Sequence, residues 1–88
     1  MNIFFLHFDP KQCAKMHCSK HVVKMILETT QILCTTHHLC KSNYIPPYKI
    51  THKNHPCTVW TRESIDNYNW LCKLGIELAV EYTFRSGS

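Results

Sequence analysis

The sequence predicts a mainly α-helical domain with a short N-terminal strand and two long antiparallel helices joined by a Pro/His-rich loop. Only two glycines and four prolines occur in 88 residues, which argues against disorder and against a fold with many turns. Apolar residues recur at helical spacing over long segments. Pro10 and Pro56 stand where helices would begin. A chain of this length is expected to form a single small helical domain, residues 1–88.

The elements follow in order along the chain. Residues 2–8 are aromatic-rich and end at Asp9-Pro10, which predicts a short buried strand that closes one end of the core. Asp9 is suited to cap a first helix over residues 10 to about 38. Ser19 marks the position where this helix is expected to break.

The second half of the chain is predicted as a loop followed by a helix. Residues 41–55 contain two adjacent prolines and no helical period, so they form the loop. The last helix runs from Pro56 to about Phe84, with kinks possible at Ser64 and Gly75.

Charge is distributed unevenly along the chain. The net charge is +4, but residues 1–53 have a balance of +5 and residues 54–88 a balance of −1. The basic half also contains six of the seven histidines. Such a half suits nucleic acid or another anion, although a solvated surface explains the charge equally well.

No signal peptide or membrane span is predicted, so we expect a protein that is not secreted and has no membrane partner. In a reducing compartment the six cysteines are expected to be free thiols or metal ligands. If the protein were secreted, they would permit three disulfide bridges.

The strongest local signal is a polar stripe along the first predicted helix. At 100° per residue, one stripe contains Cys13, His17, Lys20, His21, Lys24, Glu28, Gln31, Thr35 and His38. The opposite face is apolar and contains Val22, Val23, Met25, Ile26, Leu27, Ile32 and Leu33.

The chemistry of the stripe has two interpretations. Crowded ammonium groups at Lys20 and Lys24 favour a nucleophilic or basic lysine, and Glu28 is placed to act as a general acid or base. His17 and His21 are four residues apart and are suited to flank a phosphate or hold a metal ion. The alternative is an ordinary solvated face, on which Lys24 and Glu28 form an i,i+4 ion pair.

A second candidate group precedes the last helix. His52, Asn54 and His55 lie before Pro56, where free amide groups and the positive end of the helix dipole favour anions. We predict that His52 or His55 approaches the stripe, so that both groups form one site.

Two further interpretations remain open. A structural zinc site is the third functional possibility, although no Cys-x-x-Cys motif occurs; its candidate ligands are Cys34, His37, His38, Cys40, His55 and Cys57. Four aromatic residues are expected at the core or its edge, with base stacking as the alternative: Trp60, Tyr68, Trp70 and Tyr82.

Several motifs resemble a family of small proteins encoded by tailed phages and large DNA viruses, some of which are labelled pyrimidine-dimer DNA glycosylases. They are Met1–Phe4, Asp9-Pro10, residues 18–29 (CSKHVVKMILET), residues 51–56 (THKNHP), Trp60, Arg62–Ser64, Asn67-Tyr68 and Glu81–Thr83. The resemblance implies a compact helical protein that flips bases and attacks with an N-terminal amine, assisted by a glutamate. Glu28 matches that glutamate. Asn2 is too large for the usual removal of the initiator methionine, so Lys20 or Lys24 would replace the amine.

The leading hypothesis is a viral, DNA-acting protein with glycosylase or lyase-like chemistry, or with phosphate-directed DNA binding. Lys24, Glu28 and His21 are the predicted catalytic residues. The predicted binding residues are Lys20, His17, His52, His55 and Asn54. No cofactor and no metal are expected, and the expected location is the host cytoplasm or the virion. The runner-up is a non-enzymatic viral accessory or virion protein that binds a viral or host protein.

Overall fold

The computed structural model describes residues 2–40, 43 and 45–86, and within these ranges it contains four helices and no strand. Helix α1 spans Pro10–Lys15 and α2 spans Ser19–Leu39. Helix α3 spans Pro56–Glu63 and α4 spans Ile65–Arg85. The predicted helical class and the two helical regions are confirmed, but each region is divided into a short and a long helix.

The prediction of an N-terminal strand is wrong. Residues 2–8 form an irregular segment whose backbone bonds to side chains of the helices. The Cys13 thiol donates to the carbonyl of Phe4 at 3.0 Å, and Trp70 Nε1 donates to the carbonyl of Phe8 at 2.6 Å. A strand needs a neighbouring strand to satisfy its backbone groups, and the described helices offer none.

The break between α1 and α2 occurs where the sequence suggested. Asp9 caps α1 through its side chain, which accepts from the amide of Lys11. Helix α2 begins at Ser19, but the capping position is occupied by Cys18, which makes no side-chain capping bond. Arg85 instead satisfies carbonyls near the break, because its guanidinium donates to Lys15 O at 2.9 Å and to His17 O at 2.6 Å.

Of the two positions predicted as possible kinks in the last helix, Ser64 interrupts the helix and Gly75 does not. Ser64 adopts an extended conformation and caps α4 by accepting from the amide of Asn67 at 3.0 Å. Gly75 lies within an uninterrupted α4. A Cβ atom added there would lie 3.2 Å from Thr29 Cγ2 of α2, so the missing side chain permits close packing of the two long helices.

Helices α2 and α4 pack antiparallel and form the centre of the core. Arg85 lies beside the start of α2, and Tyr68 lies beside His37 near its end. Fully or almost fully buried apolar side chains come from α1, α2 and α4: Cys13, Ala14, Val22, Met25, Ile32, Leu71, Leu74 and Leu78. The predicted apolar face of the first helix is too broad, since Val23 and Leu27 are exposed, and on α4 Ile65 and Ile76 are exposed as well.

The predicted loop lies partly outside the described residues, because positions 41, 42 and 44 are not described. Residues 45–55 form neither helix nor strand. Thr51 bonds to Thr35 twice: its amide donates to Thr35 Oγ1 at 3.1 Å, and its carbonyl accepts from that hydroxyl at 3.2 Å. In the described part of the chain, no helix is both long and apolar enough to cross a bilayer.

Candidate functional site

Asn2 lies against the polar stripe of α2. The backbone amide of Asn2 donates to Glu28 Oε1 at 3.1 Å. Lys24 Nζ lies 4.0 Å from Glu28 Oε2, with its side chain 65% exposed, whereas the Glu28 side chain is only 13% exposed. The N-terminal segment therefore covers a carboxylate that the sequence pattern placed on an open helix face.

Phe4 anchors this segment to α1 and α2. Its ring centroid lies 4.9 Å from that of His21 and 5.8 Å from that of His17, in tilted contacts. Its carbonyl accepts from the Cys13 thiol. Both stripe histidines are therefore partners of an aromatic ring, and His21 keeps partial exposure.

The predicted role of His17 in phosphate binding requires an exposed side chain, but His17 is buried. Its side chain is only 3% exposed, and Nδ1 donates to the carbonyl of Cys13 at 2.7 Å. Nε2 is buried without a hydrogen-bond partner. The prediction of the stripe assumes one continuous helix. The helix is instead interrupted at residues 16–18, and the His17 side chain lies inside the protein.

Lys20 and Lys24 remain on the surface of α2 and are available to an anionic ligand. They lie one turn apart, and Lys24 is also one turn from Glu28. The structure thus keeps ammonium and carboxylate groups together, as the sequence predicted. The catalytic roles of Lys24, Glu28 and His21 stay predictions.

The loop meets the same face of α2 farther along the helix. The bonds between Thr51 and Thr35 place it seven residues beyond Glu28, about 10 Å along the helix axis. His52, in the left-handed region at φ 47°, and Asn54 are exposed. His55 caps α3 by accepting from the amide of Cys57 at 3.1 Å. Approach of His52 or His55 to the Glu28 region stays a prediction.

The candidate zinc ligands are dispersed among other contacts. His37 Nε2 lies 2.5 Å from the Tyr68 hydroxyl, and His38 Nε2 lies 2.9 Å from the carbonyl of Tyr48. Cys34 is buried in α2, and the six cysteines are free thiols. Within the described ranges no three His, Cys, Asp or Glu side chains are grouped so as to hold a metal ion.

Sequence reasoning missed the roles of Asn2 and Phe4. Both residues belong to the Met1–Phe4 motif of the resemblance, but no local pattern predicts their contacts with α2, which span many positions of the sequence. The available signal was the resemblance, which implies an N-terminal amine beside a glutamate. That relationship would have directed attention to the first residues rather than to a lysine.

The aromatic residues are divided between two regions. Trp60 and Trp70 are half-buried and pack at right angles, with centroids 6.1 Å apart. Tyr68 contacts His37, and Tyr82 is exposed on α4. The core-edge prediction therefore describes the two tryptophans and Tyr68 but not Tyr82.

Sequence similarity connects the chain with a family of known proteins. No curated protein matches the chain. No solved structure matches it either. The family model of pyrimidine dimer DNA glycosylases matches residues 1–87, nearly the whole sequence. The chain therefore belongs to the pyrimidine dimer DNA glycosylase family.

Proposed function

We propose that the protein binds DNA and cleaves the N-glycosidic bond of a damaged pyrimidine, with Glu28 as the central acid–base group. The observation that carries this proposal is the hydrogen bond from the Asn2 amide to Glu28 Oε1. It brings residue 2 to a carboxylate, and the resemblance implies an N-terminal amine beside a glutamate. Membership of the family supports DNA as the substrate.

The position of Glu28 suits proton transfer and charge stabilisation. Its carboxylate is largely shielded from water, so its field acts on a nearby sugar with less screening than at an open surface. The Asn2 amide donates to Oε1, and the Lys24 ammonium lies 4.0 Å from Oε2. A positioned carboxylate can accept a proton in one step and return it in the next.

The proposed step conserves atoms and charge. The lone pair of an amine attacks C1′ of the deoxyribose, and the electrons of the C1′–N1 bond leave with the base, which takes a proton from the solvent. The new ammonium loses a proton to Glu28. Glu28 then returns a proton to O4′ as the C1′–O4′ bond breaks, and the amine nitrogen and C1′ form an iminium.

Two amines are candidates for the nucleophile. Lys24 is the sequence-based choice and lies beside Glu28. The α-amine at the start of the chain is the choice that the Asn2 contact supports. An α-amine is less protonated near neutral pH than an ordinary lysine amine, which makes it the better nucleophile there. We therefore favour the α-amine and assign Lys24 to holding Glu28 and attracting the phosphate backbone.

The surrounding groups are suited to DNA. Lys20 and Lys24 are exposed on α2, and His52 and Asn54 are exposed on the loop. Lys20 and Lys24 lie on the same helix as Glu28, and we expect the loop groups to extend this surface, so that a bound strand meets basic and hydrogen-bonding groups on both sides of the carboxylate. Phosphate contacts of this kind supply most of the affinity but no sequence selectivity.

Borohydride trapping tests the proposal directly. The protein is incubated with a duplex that contains a single pyrimidine dimer, reduced, and digested so that mass spectrometry locates the adduct. We expect an adduct at the first residue, none with Glu28→Gln, and a retained adduct with Lys24→Arg. An adduct on Lys24 would instead assign the lysine as nucleophile.

An extension of two residues, Gly-Ser, before Met1 provides a sharper version, because it displaces the α-amine while leaving Glu28 and Lys24 unchanged. The matched control carries the same extension after Ser88. We expect trapping to be lost only with the N-terminal extension. Absence of any adduct or DNA binding in the unmodified chain would refute the proposal and favour the protein-binding alternative. The viral origin and the location in the host or virion stay predictions.

A further inference from the structure

We infer that a second site, separate from Glu28, binds the guanidinium group of an arginine side chain from a partner protein. This site is an open aromatic cleft between the N-terminal segment and the α3–α4 bend. It has a volume of about 480 Å³ and is lined by Phe5, His7, Phe8, Trp60, Asp66, Asn67 and Trp70. The inference is independent of the proposed glycosylase reaction.

The aromatic rings of the cleft pack on one another. The Phe5 ring stacks on Trp70 with centroids 5.0 Å apart and meets Trp60 edge-on at 4.9 Å. His7 stacks on Phe8 at 4.6 Å, and the Phe8 side chain is 87% exposed. Exposure of such a large aromatic group to water is unfavourable in free energy. Aromatic faces also attract cations through the ring quadrupole.

The polar groups of the cleft select a ligand that mainly donates hydrogen bonds. The Trp70 indole N–H donates to the carbonyl of Phe8 and is therefore not free for a ligand. The Asn67 amide nitrogen donates to the carbonyl of Trp60 at 2.8 Å, which leaves its oxygen as an acceptor. The Asp66 carboxylate, at the first turn of α4, adds two acceptor oxygens and a negative charge. His7 is the exception, because its Nδ1 accepts from the amide of Asp9 and its other nitrogen therefore carries the hydrogen.

Arginine matches this combination better than a nucleotide does. Its guanidinium has five N–H donors and no acceptor, stacks on aromatic faces and pairs with a carboxylate through two parallel bonds. A nucleotide brings a phosphate, which the carboxylate of Asp66 repels within the screening length of about 8 Å. The net negative charge of residues 54–88 also disfavours a phosphate group.

Intrinsic fluorescence measures binding here, because the chain has two tryptophans and both line the cleft. The probe is the blocked tripeptide Gly-Arg-Gly, and its uncharged analogue has citrulline in place of arginine. We expect a saturable fluorescence change with the arginine peptide and none with the citrulline peptide. Asp66→Asn should weaken binding roughly tenfold, since the charge-assisted bonds are lost.

Phe8→Ala should also weaken binding, and its exposure makes a loss of folding unexpected. The matched control is Phe84→Ala, which removes another exposed phenylalanine, 78% accessible, near the end of α4. This control should leave the affinity unchanged. Equal binding of the two peptides, an unchanged affinity in Asp66→Asn, or tighter binding of deoxycytidine monophosphate than of the arginine peptide would each overturn the inference.

Discussion

The backbone amide of Asn2 donates to the carboxylate of Glu28 at 3.1 Å, although 26 positions separate the two residues in the sequence. This contact places residue 2 on the middle of α2. It also explains why the Glu28 side chain is largely shielded while Lys24, one turn earlier, remains open to solvent.

Phe4 is expected to be a positioning residue for the proposed reaction. Phe4→Ala removes the ring that packs on His21 and His17, so the N-terminal segment should shift on α2. We expect the rate of trapping at saturating DNA to fall by roughly 10- to 100-fold, because small misplacements of a nucleophile are costly. Phe4→Leu should recover part of the rate, and Phe84→Ala should not change it. A lowered affinity with an unchanged maximal rate would contradict the positioning role.

DNA binding is expected to depend on salt through the exposed lysines of α2. Lys20→Ala and Lys24→Ala should each reduce the slope of log affinity against log salt by about one unit, as expected for one lost phosphate contact. Fluorescence anisotropy of a labelled duplex over a salt series measures the slopes. Lys73→Ala, an exposed lysine of α4, serves as the matched charge control and should leave the slope unchanged. Salt-independent affinity would argue against phosphate contacts on this face.

Close packing at Gly75 is expected to determine the effect of adding a methyl group there. Gly75→Ala should gain about 1 kcal/mol of helix propensity, but its Cβ would press on Thr29 Cγ2 at 3.2 Å. The gain should therefore appear only in a Thr29→Ser background, where that methyl group is absent. Urea denaturation of the two single variants and the double variant measures the coupling. Purely additive free energies of unfolding would show that the contact does not limit packing.

Arg85 is expected to stabilise the junction of α1, α2 and α4. Its guanidinium donates to Lys15 O, His17 O and Glu81 Oε2 at once, a geometry that a lysine ammonium does not reproduce. Arg85→Lys should therefore lower the free energy of unfolding by about 1–3 kcal/mol. Thermal or urea denaturation checks this, with Lys73→Ala as a surface control. Equal free energies of unfolding of Arg85→Lys and Lys73→Ala would show that the three hydrogen bonds of Arg85 contribute little.

Folding is expected to be independent of metal and of disulfide formation. The free thiols and the apolar contacts of α2 with α4 account for the fold without either. Circular dichroism should therefore show the same helicity with and without EDTA or a reducing agent. A modest stability, on the order of 5 kcal/mol, is expected for a core of this size. Stoichiometric zinc together with a loss of helicity on chelation would reverse this conclusion.

The sequence by itself determined the helical class, the starts of α1 and α3, and the break at Ser64. These features depend on local chemistry: a side-chain oxygen that caps neighbouring amides, a proline suited to the first turn, and apolar residues repeated at helical spacing. The grouping of Lys20, Lys24 and Glu28 could also be predicted from the sequence, since residues three or four apart on a helix are neighbours.

Only the tertiary structure decided what covers that group. The aromatic run of residues 2–8 has the composition of a strand, but a strand forms only where a partner strand exists. In this domain the segment lies on helices, so Phe4 packs on His21, Asn2 meets Glu28, and His17 is buried. Each contact joins residues far apart in the sequence, and periodicity within a single element contains no information about such pairs.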